Sequence, residues 1–354
     1  MIRPALSIVI PCYNEEACLP ALHARVAAAA RGVVGERFEI VLVNDGSRDG
    51  SWPVMQRLAA ADPCVVAINL SRNHGHQLAL TAGLDLCAGE QILIIDADLQ
   101  DPPELLADMR ATMAAEKADV VYAVRRRREG ESLFKKLTAA LFYRVLDRVT
   151  DTPIPLDTGD FRLMSRRALD AFLSLPEQAR FIRGMVAWVG FRQVPFPYDR
   201  AERHAGETKY PLAKMMRFAF DAVTGFSTAP LRLASHMGLV LTGASLLLFL
   251  YIAVGWISGS AVQGWTSTML VVVFLGAVQM FVLGMIGEYI GRLYVESKRR
   301  PLYLVADVAG PVQGRASLGY RAGEGGDISY APHLPEIRPE GAGQQPAPPP
   351  EVQD

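Results

Sequence analysis

Gln91-Ile92-Leu93-Ile94-Ile95-Asp96-Ala97-Asp98 is the stretch on which the fold turns. A run of branched aliphatic residues stops abruptly at two carboxylates spaced i and i+2. Such a run, too short for a helix and free of polar alternation, reads as a strand buried on both faces. Working outward, three more runs share this character: Leu6–Ile10, Phe38–Val43 and Val65–Leu70. Alanine-rich segments with helical spacing, Ala17–Arg31 and Gln77–Ala88, lie between them. Strand–helix–strand alternation predicts an α/β fold with a Rossmann-like, mainly parallel sheet and helices on both faces. Sheets of this kind bind ligands beyond the carboxyl ends of their strands. Polar clusters stand at three such ends: Pro11-Cys12-Tyr13-Asn14-Glu15, Asn44-Asp45-Gly46-Ser47 and Asp96-Ala97-Asp98.

Each cluster has a plainer reading beside the functional one. Asp96 and Asp98 can face one hard divalent cation, with Gln100 near enough to add an oxygen. They can equally cap the helix that begins near Pro102-Pro103-Glu104, although Asp101 is placed to fill that role. Asp45 can accept hydrogen bonds from a base or a ribose, while Asn-Asp-Gly-Ser also suits a tight turn. His74, His76 and His204 show no metal-ligand spacing and read as structural or pocket residues. Cys12, Cys18, Cys64 and Cys87 form no CxxC pair and read as free thiols of a reducing compartment.

Composition bounds the remainder. Of 354 residues, 50% are apolar and 21% charged, with a net charge of −1. That charge gives no bulk attraction to nucleic acid. The apolar excess is concentrated in Leu233–Ile257 and Met269–Ile290, each long enough to cross a hydrocarbon core of about 30 Å. The connection Ser258–Thr268 has no Lys or Arg, whereas Lys209, Lys214, Arg217 and Arg232 precede the first stretch and Arg292, Lys298, Arg299 and Arg300 follow the second. The positive-inside rule therefore puts both flanks and both termini in the cytoplasm. The first residues lack the pattern of a secretory signal. Pro211–Phe226 is amphipathic, as an interfacial helix or an ordinary surface helix would be. The expected organisation is a catalytic domain over 1–210, an interfacial helix over 211–230 and two membrane helices over 231–292. A cytoplasmic segment over 293–310 and a disordered tail over 311–354 complete it.

Taken together, Ser7-Ile8-Val9-Ile10-Pro11-x-Tyr13-Asn14-Glu15, Val43-Asn44-Asp45-Gly46-Ser47 and Asp96-Ala97-Asp98-Leu99-Gln100-Asp101-Pro102-Pro103-Glu104 resemble the family-2 inverting glycosyltransferases. The resemblance is greatest to the polyprenyl-phosphate branch, which includes dolichol-phosphate mannose synthases and bacterial undecaprenyl-phosphate glucosyltransferases. It extends over about residues 5–305. It implies a GT-A fold, a nucleotide-sugar donor, Mg²⁺ or Mn²⁺, a polyprenyl-phosphate acceptor in the bacterial inner membrane, and a homotetramer. Pro11, Tyr13, Glu15, Asp45, Asp96 and Arg203 would then bind the donor, and Asp96, Asp98 and Gln100 the metal. Asp157-Thr158-Gly159-Asp160-Phe161-Arg162 is similar to the segment carrying the catalytic carboxylate, with Asp160 first and Asp157 second. Arg125, Arg128 and Lys209 would meet the acceptor phosphate.

The chemistry agrees with these assignments. A lipid phosphate is already an anion, so it needs positioning and charge neutralisation more than a strong base. Arg grips phosphate with two parallel hydrogen bonds. For Arg125 to Arg128 the alternative is a solvated loop or contact with anionic headgroups. Asp160 would orient the acceptor or stabilise the anomeric centre, or simply cap a helix or pair with Arg162 or Arg166. The sugar is expected to be glucose from UDP-glucose; GDP-mannose, UDP-N-acetylglucosamine and an aminoarabinose donor are the alternatives. A processive polysaccharide synthase and an inactive membrane scaffold are the rival functions. The absence of Gln-x-x-Arg-Trp and the presence of Asp96, Asp98 and Asp160 speak against them.

Overall fold

The computed structural model describes residues 3–125, 158–199, 229–257, 264–311, 320–322 and 328–330. The first four strands are β1 (Leu6–Cys12), β2 (Phe38–Asn44), β3 (Val65–Leu70) and β4 (Gln91–Ile94). Helices α1 (Leu19–Val34), α2 (Ser51–Ala61) and α3 (His76–Leu86) connect them. These four strands pair in parallel around β1, which has β2 on one side and β4 on the other.

Because successive side chains on a strand point to opposite faces, each strand feeds two cores. Leu6, Ile8 and Ile10 join Leu22 and Val26 of α1 and Met55 of α2 on one face. Val9, Val41 and Val43 join Ala79 and Leu80 of α3 on the other. Burial on both faces is why these strands read as unbroken apolar runs. Gly83 shows how closely α3 lies on the sheet. A Cβ there would stand 2.4 Å from Val9 Cγ1 and 2.9 Å from Val43 Cγ2.

Beyond β4 come α4 (Leu106–Ala115), β5 (Val120–Arg125), β6 (Thr158–Ser165), α5 (Arg166–Leu173), α6 (Ile182–Val189) and β7 (Gln193–Tyr198). Two long helices follow, α7 (Ala229–Ile257) and α8 (Trp265–Ser297), and then β8 (Val305–Ala309). Among the described residues the sheet runs β7-β5-β6-β4-β1-β2-β3-β8. β6 is antiparallel to both β4 and β5, and β8 is antiparallel to β3. β5 and β7 pair in parallel, so the sheet is mixed, with more antiparallel pairing than the mainly parallel one expected. The expectation lacked the antiparallel strands because β6 enters between β4 and β5 after a long excursion, and β8 belongs to the cytoplasmic segment that follows the membrane helices in the chain.

The C-terminal region departs from expectation in two further ways. Among the described residues, one helical segment, Val271–Ser297 of α8, is long and apolar enough to cross a membrane, with a mean hydropathy of 2.0. The corresponding apolar segment of α7 is the shorter Ala234–Leu248. Within the expected disordered tail, β9 (Tyr320–Ala322) and β10 (Ile328–Tyr330) form an antiparallel pair. The expected interfacial helix lies almost wholly outside the described residues.

Candidate active site

The carboxyl ends of β1 and β2 are laced together by their loops. Asn14 donates its backbone N–H to Ser47 Oγ at 2.9 Å and accepts the Arg48 N–H on Oδ1 at 2.8 Å. Glu15 donates its backbone N–H to Ser51 Oγ at 2.9 Å. Asn14 holds a left-handed backbone, which asparagine tolerates better than most residues. The Ser47 N–H reaches back to Asn44 Oδ1 at 3.2 Å, so the tight-turn reading of this segment holds. Gly46, also left-handed, is required: a Cβ there would lie 2.5 Å from the backbone nitrogen of Asn73.

Asp45 is buried beneath this turn. Its two carboxylate oxygens accept the backbone N–H groups of His74 and Gly75 at 2.7 and 3.0 Å. Burial pushes its carboxyl up, and these hydrogen bonds pull it back. Asp45 thus shapes the loop that starts α3, a role that sequence did not reveal. Pro11 is buried in β1 opposite Val43, and Tyr13 stands 42% exposed at the rim beside Glu15.

The loop shaped by Asp45 delivers His76, and His76 meets the carboxylates. His76 Nε2 lies 3.0 Å from Asp160 Oδ2 and 3.8 Å from Asp96 Oδ1. One ligand atom from each of these three residues falls within 4.8 Å of the others, a group able to hold a metal ion. Arg183 Nε donates to Asp160 Oδ1 at 2.9 Å, and Gln77 Nε2 donates to Oδ2 at 3.3 Å. Buried Arg162 places its guanidinium 3.8 Å from the same carboxylate.

The electrostatics separate the two acids. Burial opposes ionisation of Asp160, which is only 3% exposed. The His76 hydrogen bond and the charges of Arg183 and Arg162 outweigh it and hold the carboxyl well below the usual carboxylate range. Asp160 is therefore a fixed anion and a poor proton acceptor. Asp96 behaves oppositely. Burial, reinforced by Asp160, Asp101 and Asp98 against the pull of His76, pushes it up to about 6. Its Oδ1 is buried without a hydrogen-bond partner, as is Gln100 Oε1. Orphaned acceptors on acid and amide side chains are what a bound cation would satisfy. For His76 burial works against protonation, but Asp160 and Asp96 outweigh it and raise its pKa.

Several sequence assignments change in this light. Asp98 Oδ1 accepts the Gln100 N–H at 3.1 Å, closing a small turn, and Asp98 is not in the three-residue group. Among the described residues, His76, Asp96 and Asp160 form the group able to hold a metal ion, with Gln100 close behind Asp96 in the chain. Asp101 does not cap the following helix; its Oδ1 accepts the Tyr198 hydroxyl at 2.5 Å. Arg125 ends β5 opposite Tyr198, with its guanidinium beside Gly159. Arg128, Asp157, Arg203, His204 and Lys209 lie outside the described residues. His76, Gln77 and Arg183 were missed as site residues, because 84 and 23 residues separate His76 and Arg183 from Asp160. The carboxyl-end rule that singled out the other loops, applied to β3, would have flagged His76.

The mixed sheet with acids at its rim is an architecture of glycosyltransferases, and the comparisons give that class. The description "Glycosyl transferase family 2" matches residues 7–173, and "GtrB C-terminal hairpin" matches residues 229–293. The chain belongs to glycosyltransferase family 2. It is 47% identical over 300 residues to the Bacillus subtilis (strain 168) protein "Uncharacterized glycosyltransferase YkcC", covering 84% of this chain and 92% of that one. It is 38% identical to the Escherichia coli (strain K12) "Prophage bactoprenol glucosyl transferase homolog", covering 86% of this chain and 99% of the relative. The "Bactoprenol glucosyl transferase" of Shigella phage SfV is also 38% identical, covering 85% and 97%.

Proposed function

We propose that this enzyme transfers glucose from UDP-glucose to a polyprenyl phosphate, with inversion, at the cytoplasmic face of a bacterial inner membrane. The observation that carries the reading is the Asp96–Asp160–His76 group at the sheet rim, with Asp160 buried and His76 open to solvent, in a chain that also exposes a long apolar helix. Relatives named bactoprenol glucosyl transferase support the choice of sugar and lipid.

His76, Asp96 and Asp160 would hold a divalent ion, Mg²⁺ or Mn²⁺, with Gln100 as a further oxygen. Such an ion neutralises charge on the donor diphosphate. Asp160, held ionised by Arg183 and Arg162, keeps negative charge beside the reacting sugar, where an oxocarbenium-like centre develops. It has no need to take a proton, since the acceptor phosphate arrives ionised. Tyr13, Glu15 and Pro11 line the rim at which the donor nucleoside is assigned, and Asp45 supports it through the loop it holds. Arg125, which stands beside Gly159, is assigned to the acceptor phosphate together with Arg128 and Lys209, and Arg203 to the donor; Asp157 is assigned as a second carboxylate and Asp98 as a further ligand of the ion.

The reading includes two membrane-spanning helices, an interfacial helix before them and both termini in the cytoplasm. The lack of Lys and Arg in Ser258–Thr268 supports that orientation. A homotetramer follows from the family resemblance and is checked by the mass of the detergent-solubilised enzyme.

Membranes containing the protein, incubated with polyprenyl phosphate and labelled UDP-glucose, should yield a chloroform-soluble labelled product. Chelation should abolish it and Mn²⁺ or Mg²⁺ restore it. Label transferred instead from GDP-mannose, UDP-N-acetylglucosamine or an aminoarabinose donor would change the sugar assignment. No lipid product from any donor would end the proposal.

A further inference from the structure

The chain does not simply leave the membrane helix and trail away. At the foot of α8, both carboxylate oxygens of Glu296 accept the backbone N–H of Gln178, at 2.9 and 3.1 Å. Seven residues later Tyr303, only 3% exposed, is sunk in the same apolar core as α3, α5 and α6. Its hydroxyl donates to Asp85 Oδ2 at 2.8 Å. Leu304 accepts the Ser71 N–H at 2.8 Å, and β8 then extends the sheet alongside β3. Gly310 closes the strand in a left-handed conformation with no room for a side chain, since a Cβ would meet the Val65 carbonyl oxygen at 2.3 Å.

The two anchor points share one property. Asp85 lies near the end of α3, the helix that begins with His76 and Gln77, about 13 Å away along its axis. Gln178 opens the segment that runs into α6 and Arg183, and Gln77 Oε1 accepts the Ile182 N–H at 3.0 Å. Both routes converge on Asp160. Arg180, buried and in electrostatic reach of Asp85, Glu296 and Tyr303, lies between the two anchors. By contrast, most of α8 is exposed: Val272, Val273, Phe274, Met280 and Phe281 touch little protein. Among the described residues, these anchors tie the foot of α8 to the catalytic domain.

We infer that Glu296 and Tyr303 are positioning residues that clamp the foot of α8 to the two elements building the Asp160 cluster, so that hairpin and cleft keep one fixed relation when a lipid-borne phosphate arrives. The inference rests on the proposed lipid acceptor, and it adds a role for the segment after the membrane. A helix of 33 residues is about 50 Å long, so small rotations at its foot displace the whole hairpin.

The test compares wild type, Glu296→Ala/Tyr303→Phe and Glu296→Gln in lipid vesicles of the full chain. Tyr303→Phe keeps the buried ring, and Glu296→Gln keeps an acceptor for Gln178. The double variant should lose about tenfold in kcat/KM for polyprenyl phosphate, two modest hydrogen bonds being removed. Its KM for donor and its rate of donor hydrolysis by water should stay at the wild-type value, and Glu296→Gln should recover most of the loss. An independent arm needs no activity. Nitroxides at Glu90→Cys and Val273→Cys, with Cys18 and Cys64 replaced by Ser, should give a narrow distance distribution that broadens in the double variant. Unchanged distances overturn the clamp, as does a parallel fall of hydrolysis and lipid transfer. Should wild-type membranes glycosylate no lipid at all, the function reading fails, and the distance arm alone decides the clamp.

Discussion

The sheet rim and the C-terminal hairpin break the usual surface rules in opposite directions. At the rim, charged groups that belong in water are withdrawn from it: Asp160 and Arg162 are buried, and partly buried Asp96 has an orphaned, buried Oδ1. Along α8, apolar groups that belong in a core face outward. A buried charge is tolerated only when partners replace its hydration. An exposed apolar face of this length is tolerated only when something other than water covers it. The first anomaly therefore points to a charged ligand, the second to a lipid phase. An enzyme that joins a nucleotide-bound sugar to a lipid needs both, held at a fixed separation.

The comparison can be broken most severely at the rim. Asp96→Asn should cut transfer by a factor on the order of 100 to 1000, because it removes a charge that would neutralise the donor diphosphate. Its melting temperature should match or exceed that of the wild type, since an unfavourably buried carboxyl has gone. A fully active Asp96→Asn enzyme would show that the cluster is purely structural.

Asp160→Asn tests the other acid and should behave differently. It strands Arg162 and Arg183 without their counter-charge and should cost about 3 kcal/mol of stability, read from denaturant unfolding, besides abolishing transfer. If stability is untouched, the ion network is not what holds α6 against β6.

Asp85 supplies a pH test on the side of the clamp. Burial, above the opposing effects of Tyr303 and Arg180, pushes its carboxyl up to about 6 from an ordinary value of 3.8. The folded state therefore holds its proton more tightly than the unfolded chain. Its stabilising contribution is complete below about pH 4 and is lost as pH rises through 6, a change on the order of 2–3 kcal/mol. Unfolding measured from pH 4 to 7 should show this decline, and Asp85→Asn should flatten it.

Gly83→Ala sharpens the packing side. The new Cβ collides with Val9 and Val43 between α3 and the sheet, so stability should fall by about 1–3 kcal/mol. The KM of the folded fraction should not change. At the small end, Arg25 pairs with Glu104 on the exposed surface. Arg25→Ala should shift stability by no more than about 1 kcal/mol.

Much of the architecture was legible because it is local. Leu6–Ile10 and Ile92–Ile95 are strands by composition alone, and the loops that follow them had to be the rim. Asp96 was singled out by its place at the end of a strand, and Asp160 by the family resemblance of its segment. The mixed character of the sheet was not legible, since nothing in Thr158–Ser165 says that it enters antiparallel between β4 and β5. His76 was read as a structural or pocket residue, without a partner, because its partners are remote in the chain. Asp45 was read as a donor-binding residue or a turn residue, and its oxygens accept the remote N–H groups of His74 and Gly75. Asp101 was expected to cap a helix and instead accepts from Tyr198. Short polar side chains at turns have many local partners open to them, and only the approach of another loop selects one.

The sequence by itself determined the α/β alternation, the rim carboxylates and the apolar C-terminal region, because hydrophobic period and the placement of charge depend on neighbours along the chain. Only the tertiary structure decided that His76 and Arg183 flank Asp160, that β8 comes back to the catalytic sheet, and that Tyr303 is buried against Asp85. Those contacts join residues scores to hundreds of positions apart. Their existence depends on which strands pair and how closely helices pack, quantities that no local stretch of residues encodes.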